Sequence, residues 1–216
     1  MKFDSGSEVG PVDDRASGRR ERGKAEKHAR ITQAARELFA EQGYEAVTTQ
    51  QVADRADIAI GTLFRYASTK AELLLMVRNE EFAAAVAEGE AESVDVDDPV
   101  QRVLALIAPV IRSGRPSDEN LVAYQRELLF GPADAPYRGA GLAIVARLEE
   151  LIADVLAGDG PVDEDATAAA RAVFAVLHME IAAPVVRPRT AGVASDALRR
   201  QIELVVAGHR ARRGNR

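Results

Sequence analysis

The chain has 216 residues, a formal net charge of −6 at pH 7 and no cysteine. The missing cysteines exclude disulfides, a thiolate nucleophile and cysteine-ligated metals. No apolar run approaches the roughly 18 residues that a membrane span needs. The polar, acidic N-terminus lacks the pattern of a secretory signal, so we expect a cytoplasmic protein.

Residues 15–70 carry a net positive charge, whereas residues 71–216 taken together are net negative. Residues 15–70 carry eleven Lys and Arg against seven acidic residues, whereas residues 71–216 carry sixteen arginines against twenty-three acidic residues. Such a segment predicts contact with a polyanion such as nucleic acid. The basic cluster that leads into the first predicted helix consists of Arg15, Arg19, Arg20, Arg22, Lys24 and Lys27. We expect residues 1–24 to form a disordered basic arm that follows phosphates or enters the minor groove.

The first predicted helix covers residues 25–42. Its apolar residues recur at i, i+3, i+4, i+7 and i+8, which is the spacing of one helical face. They are Ile31, Ala34, Ala35, Leu38 and Phe39.

A helix-turn-helix pattern occupies residues 48–67. Thr48 and Gln51 have the spacing of a capping box at the start of a short helix. Asp57 stands where the chain must reverse, and aspartate tolerates the left-handed backbone of such a turn. Leu63 and Phe64, in a second short helix over 60–66, are expected to point inward.

A further helix is predicted from about residue 70. Thr69 and Glu72 have the spacing of a second capping box. Lys70 then occupies the first helical position, where the macrodipole disfavours a cation. An arriving DNA phosphate would reverse this effect, because the helix amides and Lys70 would both point at it. The alternative is a solvated surface lysine.

The rest of the chain alternates between helical periodicity and Gly/Pro breaks, with no strand pattern. Asp98-Pro99 begins one helix, which ends near Gly114-Arg115-Pro116, and the next ends at Gly131-Pro132. The remaining predicted helices cover 138–157, 163–183 and 194–209, before a disordered tail over 210–216. The sequence therefore predicts an all-α protein of about nine helices.

Residues 26–73 resemble the DNA-binding domain of the TetR family of transcriptional repressors. The resemblance rests on four motifs: Leu38-Phe39 with Gly43-Tyr44, Thr48-Thr49, Gly61-Thr62-Leu63-Phe64, and Thr69-Lys70 with Leu73. Departures from the family pattern include Asp57 in place of glycine and Ala59 in place of a capping Ser or Thr, which is worth roughly 1 kcal/mol. The resemblance implies a DNA-binding domain over 25–70 and an effector-binding and dimerisation domain over 71–209.

The resemblance also implies roles for individual residues at the DNA. The backbone would be held by Thr48, Thr49, Tyr66 and Lys70, while the groove would be faced by Gln50, Ile60, Gly61, Thr62 and Arg65. Arg65 suits a bidentate contact with guanine and Gln50 a contact with adenine. A phosphate contact is the alternative for Arg65.

Members of this family bind a small-molecule effector among helices four to eight and dimerise through their last two helices. The candidate pocket residues here are Met76, Leu104, Ile107, Tyr124, Leu128, Phe174 and His178, although residues of these types on apolar helix faces are more often core than pocket. Two apolar stripes are candidate dimer surfaces: Ala166, Ala169, Ala170, Val173, Phe174, Leu177 and Ile181, then Leu198, Ile202, Val205 and Val206. The alternative is that these stripes face the protein's own core.

The sequence thus predicts a repressor that an apolar or amphipathic ligand releases from a pseudo-palindromic operator. A ligand-independent or partner-controlled DNA-binding protein, or an activator, is the alternative. An enzyme is disfavoured, because no nucleophile or phosphate-loop motif is present. His28, His178 and His209 lie on separate segments without metal-ligand spacing. We expect no metal or cofactor.

Overall fold

The structure is a computed structural model that describes residues 14–113, 119–186 and 191–214. Within these ranges the chain forms nine helices and no strand, as the sequence predicted. The helices are α1 (Asp14–Gln42), α2 (Thr49–Arg55), α3 (Ile60–Leu63), α4 (Lys70–Ser93), α5 (Pro99–Ser113), α6 (Glu119–Phe130), α7 (Pro136–Ala157), α8 (Glu164–Val186) and α9 (Ala191–Gly214). The predicted break at Gly114-Arg115-Pro116 lies outside the described residues.

The first helix begins earlier than the sequence predicted. Residues 14–24 were expected to belong to a disordered arm, but α1 starts at Asp14. Extending an existing helix costs far less than nucleating one, and Arg, Lys and Glu favour helix enough to offset Gly18 and Gly23. Residues 1–13 of the expected arm lie outside the described residues.

The last helix ends later than predicted. Residues 210–214 were expected to be a disordered tail, but α9 continues to Gly214. Arg212 explains part of this extension, because its guanidinium pairs with Asp165 on α8 at 3.1 Å. The last two residues of the chain lie outside the described residues.

Two clusters of buried apolar side chains organise the fold. The first joins α1, α2, α3 and the first half of α4 with Ala123, Tyr124 and Leu128 of α6. The second joins the second half of α4 with α5, α7, α8 and α9. We call α1–α3 the head and α5–α9 the body. The predicted boundary at residue 70 falls at the start of α4, which both clusters share.

The two stripes that the sequence offered as dimer surfaces face the protein's own core. The residues buried there are Ala166, Ala170, Val173 and Leu177 of α8 and Leu198, Ile202 and Val206 of α9. The prediction failed because α8 is apolar on more than one face, so its periodicity does not say which face turns inward. Its outer face consists of Ala168, Ala172, Ala175 and Met179, all exposed.

Candidate DNA-binding head and effector cleft

The first helix of the motif begins at the predicted capping box. The Thr48 hydroxyl accepts from the Gln51 amide at 3.2 Å, and the Gln51 carboxamide oxygen accepts from the Thr48 amide at 2.8 Å. These bonds satisfy donors that would otherwise have no partner at the start of α2. The cap therefore fixes where α2 begins, and with it the positions of Thr49 and Gln50 in its first turn.

The reversal between α2 and α3 occurs at Asp57, the one non-glycine residue with a positive φ (53°) within the described ranges. This confirms the left-handed turn that the sequence predicted. The Ile58 amide closes the turn by donating to the Ala53 carbonyl at 3.0 Å. Arg30 of α1 lies 3.8 Å from the Asp57 carboxylate, which connects α1 to the same turn.

The second helix of the motif is shorter than predicted. Only Ile60–Leu63 are helical, and hydrogen-bonded turns continue to Ala67. Leu63 is fully buried as expected, but the inward orientation expected for Phe64 is wrong, because that residue is 47% exposed. As the sequence indicated, Ala59 provides no side-chain cap for α3.

The residues expected to read DNA bases are accessible. Gln50, Gly61 and Arg65 are exposed, and Ile60 and Thr62 are half-buried. No atom lies within 4 Å of where a Cβ at Gly61 would stand, so this part of α3 is open to a close approach. We call Gln50, Ile60, Gly61, Thr62 and Arg65 the reading surface. Gln50 is not free, since its amide donates to Asp54 at 2.7 Å.

Lys70 has a role that its position in the sequence did not reveal. Its ammonium group donates to the carbonyl oxygens of Tyr44 (2.8 Å) and Glu45 (3.0 Å) and lies 4.5 Å from the centre of the Tyr44 ring. The residue therefore ties the start of α4 to the α1–α2 connection. One of its three N–H donors is left for a phosphate.

The second capping box forms in an altered way. The Thr69 hydroxyl accepts from the Glu72 amide at 3.1 Å, as predicted. The Glu72 carboxylate, however, accepts from the amide and hydroxyl of Ser68 at 2.8 and 2.7 Å rather than from Thr69. The carboxylate thus closes over the preceding residue, and Glu72 as a whole is buried.

Tyr66 connects the motif to α1. Its hydroxyl donates to the Lys24 carbonyl at 3.4 Å, and its ring centre lies 6.3 Å from that of His28. The expected backbone-holding role of Tyr66 would require this hydroxyl proton to leave Lys24. Neither partner was foreseen, because Lys24 belongs to the expected disordered arm and His28, in the first predicted helix, is far from Tyr66 along the chain.

The cations of the head fall into two groups. Arg36 pairs with Glu80 at 2.9 Å, and Arg55 pairs with Glu37 and Glu41 at 3.3 and 3.1 Å. In contrast, no ion pair occurs within the described residues for Arg20, Arg22, Lys24, Lys27 and Arg65. The positive charge that the head leaves without a partner therefore lies at the start of α1 and beside α3.

A cleft lies between α4 and the body helices α5, α6, α7 and α8, and the space between its walls is about 570 Å³ when the part open to solvent is included. Its walls are mainly apolar and aromatic, as ligand pockets generally are. The lining consists of Arg78, Glu81, Phe82, Val110, Ser113, Leu121, Tyr124, Gln125, Leu128, Val145, Phe174, Leu177, His178 and Ile181. We call it the effector cleft.

The structure divides the predicted pocket residues. Tyr124, Leu128, Phe174 and His178 line the effector cleft. The assignment is wrong for the others: Met76 and Ile107 are buried core residues, and Leu104 packs against that core. Periodicity places all seven on apolar faces and does not distinguish a filled interior from an empty one.

Sequence reasoning missed Arg78 and Glu81 of the cleft wall and the amide of Asn79 behind it. Arg78 pairs with Glu81 at 2.9 Å along the α4 wall. Buried Asn79 accepts from the Tyr124 hydroxyl at 2.9 Å and donates to the Tyr137 carbonyl at 2.7 Å. An asparagine inside an apolar helix was the available signal, since a buried amide requires partners.

Burial favours the uncharged forms of two cleft side chains. It raises the pKa of the Tyr124 hydroxyl further above neutral, and the protonated hydroxyl donates to Asn79. Burial also lowers the pKa of the His178 imidazole below its ordinary value, which favours the neutral ring. The cleft therefore presents hydrogen-bonding groups without adding net charge at these positions.

Helix α6 contacts both sites. The Asn120 side-chain amide donates to the Phe39 carbonyl at the end of α1 (2.9 Å), and one turn later Tyr124 lines the effector cleft. The same helix thus touches the head and forms a wall of the cleft.

Two other features are absent from the part of the chain that the structure describes. Within these residues, no group of three or more His, Cys, Asp or Glu is arranged to hold a metal ion. None of the described helices is long and apolar enough to cross a membrane.

Comparisons with known proteins agree with this architecture. The family model of the bacterial regulatory proteins, tetR family, matches residues 31–77. Over 184 residues the chain is 29% identical to the HTH-type transcriptional repressor KstR of Mycobacterium tuberculosis, a match that covers 84% of this chain and 81% of that repressor.

Two solved structures share the fold. A TetR transcriptional regulator from Rhodococcus sp. RHA1 has a TM-score of 0.65 at 23% identity, over 85% of this chain and 97% of that one. The TetR-family repressor FadR of Thermus thermophilus, solved in complex with lauroyl-CoA, has a TM-score of 0.61 at 22% identity, over 83% and 93% of the two chains.

Proposed function

Since the chain belongs to the TetR family of bacterial transcriptional regulators, we propose that it represses transcription as a homodimer on a pseudo-palindromic operator. Binding of an apolar or amphipathic ligand in the effector cleft releases the DNA. The observation that carries this proposal is the joining, through α4 and α6, of a head with an accessible reading surface to a body with an apolar cleft.

The head docks through the reading surface in the major groove. Arg65 supports base reading because it is exposed and lacks an ion pair within the described ranges. Thr48 and Thr49, at the capped start of α2, and Lys70, at the start of α4, hold the phosphates on either side. Footprinting upstream of the protein's own gene should reveal a protected inverted repeat, with half-sites about one helical turn or more apart. Absence of any protected repeat contradicts the proposal.

Release requires that the cleft and the head share a moving part, and α6 is the element suited to this. A ligand that displaces Tyr124 or Leu128 moves residues that belong to the same buried cluster as the head core. The Asn120–Phe39 hydrogen bond carries this movement directly to the end of α1. A repressor of this kind therefore binds either DNA or ligand well, but not both.

The ligand we propose has a long apolar part and a polar group. The apolar part packs among residues such as Phe82, Leu121 and Phe174, and the polar group meets Ser113, Gln125 or neutral His178. Acyl-CoA thioesters have this chemistry, and the similarly folded FadR was solved with one bound. They are the class to test first.

The ligand proposal is tested with lauroyl-CoA, using coenzyme A alone as the control. We expect lauroyl-CoA to raise the melting temperature and to release operator DNA, and coenzyme A to do neither. Val145→Trp, which fills the effector cleft from its wall, should abolish both effects while DNA binding persists. Val94→Trp, at an exposed valine outside the cleft, is the matched control. Release by lauroyl-CoA that is unchanged in Val145→Trp contradicts this location of the ligand.

The homodimer is proposed to form through the outer faces of α8 and α9. Met179 of α8 and Leu204 of α9 are 59% and 73% exposed in the single chain, and the exposed alanines on the outer face of α8 permit close helix packing. Ala172→Glu should yield a monomer in sedimentation measurements, while Ala84→Glu, at an exposed position of α4, should leave the mass unchanged. A dimeric Ala172→Glu protein contradicts this choice of surface.

A further inference from the structure

We infer that the N-terminal part of α1 is a second DNA-binding element, in which Arg20, Lys24 and Lys27 form one row that grips the phosphates beside the reading surface. We call these three residues the basic row. The inference rests on the proposed function and extends it, because the row lies outside the helix-turn-helix and before the residues that match the family model.

The basic row continues the face by which α1 packs into the head. Arg20, Lys24, Lys27 and Ile31 are spaced i, i+4, i+7 and i+11, which places them within about 60° of one another around the helix. Ile31 is fully buried, whereas no residue from 20 to 30 is buried. The helix thus extends past the core of the head, and its inner face changes there from apolar to basic.

Two contacts place this segment beside the proposed DNA site. The Lys24 carbonyl accepts from the Tyr66 hydroxyl (3.4 Å), and Tyr66 follows Arg65 of the reading surface directly. Arg30 lies 3.8 Å from Asp57 in the turn that precedes α3. The part of α1 from Lys24 to Arg30 is therefore held against the turn before α3 and against Tyr66 after it.

The charges of the row are available to a partner. No ion pair involves Arg20, Lys24 or Lys27 within the described residues, whereas Arg36 and Arg55 of the head pair with acidic side chains of α4 and α1. A row of cations without partners in a chain of net charge −6 is complementary to a polyanion. Because the basic row adjoins the reading surface, the polyanion that it binds is the same DNA duplex.

The length of the row fits a few phosphates. Seven residues of α-helix span about 10 Å, and one DNA strand carries a phosphate about every 3.4 Å along the helix axis. The row therefore faces two or three phosphates of one strand. Phosphate contacts carry no sequence information, so the row adds affinity on every sequence and leaves base preference unchanged.

The test compares the full-length protein with two matched variants, Arg20→Gln and Arg22→Gln. Both remove one arginine charge from the same exposed helix, but Arg22 lies about 180° from Ile31 on the opposite face. Affinity is measured against salt concentration on an operator duplex and on a duplex of unrelated sequence. A triple variant, Arg20→Gln/Lys24→Gln/Lys27→Gln, gives the full effect.

We expect Arg20→Gln to lower the slope of log K against log salt by roughly 0.9 for each phosphate that the variant no longer neutralises, and to weaken binding about eightfold per phosphate at about 0.1 M salt. The triple variant should bind more weakly still, equally on both duplexes, and Arg22→Gln should match the wild type. All these side chains are exposed, so melting temperatures should not change. If the triple variant fails to fold, the two single variants decide.

Two results overturn the inference alone while the wild type still binds its operator. One is a triple variant with the slope and affinity of the wild type, and the other is an equal weakening of binding in Arg20→Gln and Arg22→Gln. Failure of the wild-type protein to bind either duplex overturns the proposed function and this inference with it.

Discussion

The head and the body are organised by interactions of different range. In the head, the geometry comes from bonds between residues close in sequence, such as the Thr48–Gln51 cap and the left-handed Asp57 turn. In the body, the effector cleft draws its walls from five helices between Arg78 and Ile181. Local bonds fix a rigid shape in a short segment, whereas a cleft exists only after distant helices have packed.

The different range of the interactions in the head and in the body suits their different functions. A DNA-reading element must hold its shape while it moves as a unit, which short-range caps and turns provide. An effector site must respond to a ligand, and helices from distant parts of the chain can shift relative to one another. Helix α4 takes part in both, since its first half belongs to the head cluster and its second half to the body cluster.

The largest effect is expected where the body depends on close packing. A Cβ at Gly89 of α4 would overlap the backbone carbonyl of Leu106 on α5. Gly89→Ala should therefore lower the free energy of unfolding by about 3 kcal/mol. The control is Gly139→Ala in α7, where a Cβ meets nothing within 4 Å and up to about 1 kcal/mol of stability should be gained. Equal stability of both variants in denaturant titrations would contradict this close approach.

The next effect tests the polar junction between α4, α6 and α7. Asn79→Ala leaves the Tyr124 hydroxyl and the Tyr137 carbonyl without their partner. Each buried group left unsatisfied costs about 1–3 kcal/mol. Tyr137 is only half-buried and Tyr124 borders the cleft, so we expect the free energy of unfolding in urea to fall by about 2 kcal/mol. Tyr124→Phe removes one of these bonds and should cost about 1 kcal/mol. A larger destabilisation in Tyr124→Phe than in Asn79→Ala would show that the amide is not the centre of this network.

A third effect separates base reading from backbone holding in the head. Arg65→Ala should weaken binding by about 1–3 kcal/mol and relax the preference at one base pair. Lys70→Ala should weaken all sequences alike, and it should also lower the melting temperature, because the Lys70 ammonium holds two carbonyls of the head. Affinities for an operator varied base by base distinguish the two. Equal weakening on every sequence after Arg65→Ala would remove its base-reading role.

The smallest effect tests whether local caps determine the stability of the head. Ala59 has an extended backbone (φ −67°, ψ 141°) and no side-chain cap, so Ala59→Ser should add a cap and about 1 kcal/mol of stability. Thr48→Ala should remove a similar amount by deleting an existing cap. Thermal unfolding measures both. Stabilisation by Thr48→Ala, or none by Ala59→Ser, would mean that the head is not controlled by its caps.

Sequence alone predicted much of the head but less of its surroundings. The Thr48–Gln51 box and the Asp57 turn involve residues a few positions apart, so their chemistry is legible in the order of the residues. Phe64 was placed inward and is exposed, because a four-residue helix has too few turns to define an inner face. The partners of Lys70 and Tyr66 are more than twenty residues away along the chain and left no signal.

What the sequence by itself determined is the set of elements: an all-helical chain, a capped helix-turn-helix and an excess of positive charge before residue 70. These follow from periodicity, capping and composition, which act over a few residues. Only the tertiary structure decided that Tyr124 lines a cleft while Ile107 fills the core, and that the stripes of α8 and α9 face inward. The physical reason is that apolar residues share one preference, to leave water, and distant helices determine which of them pack fully.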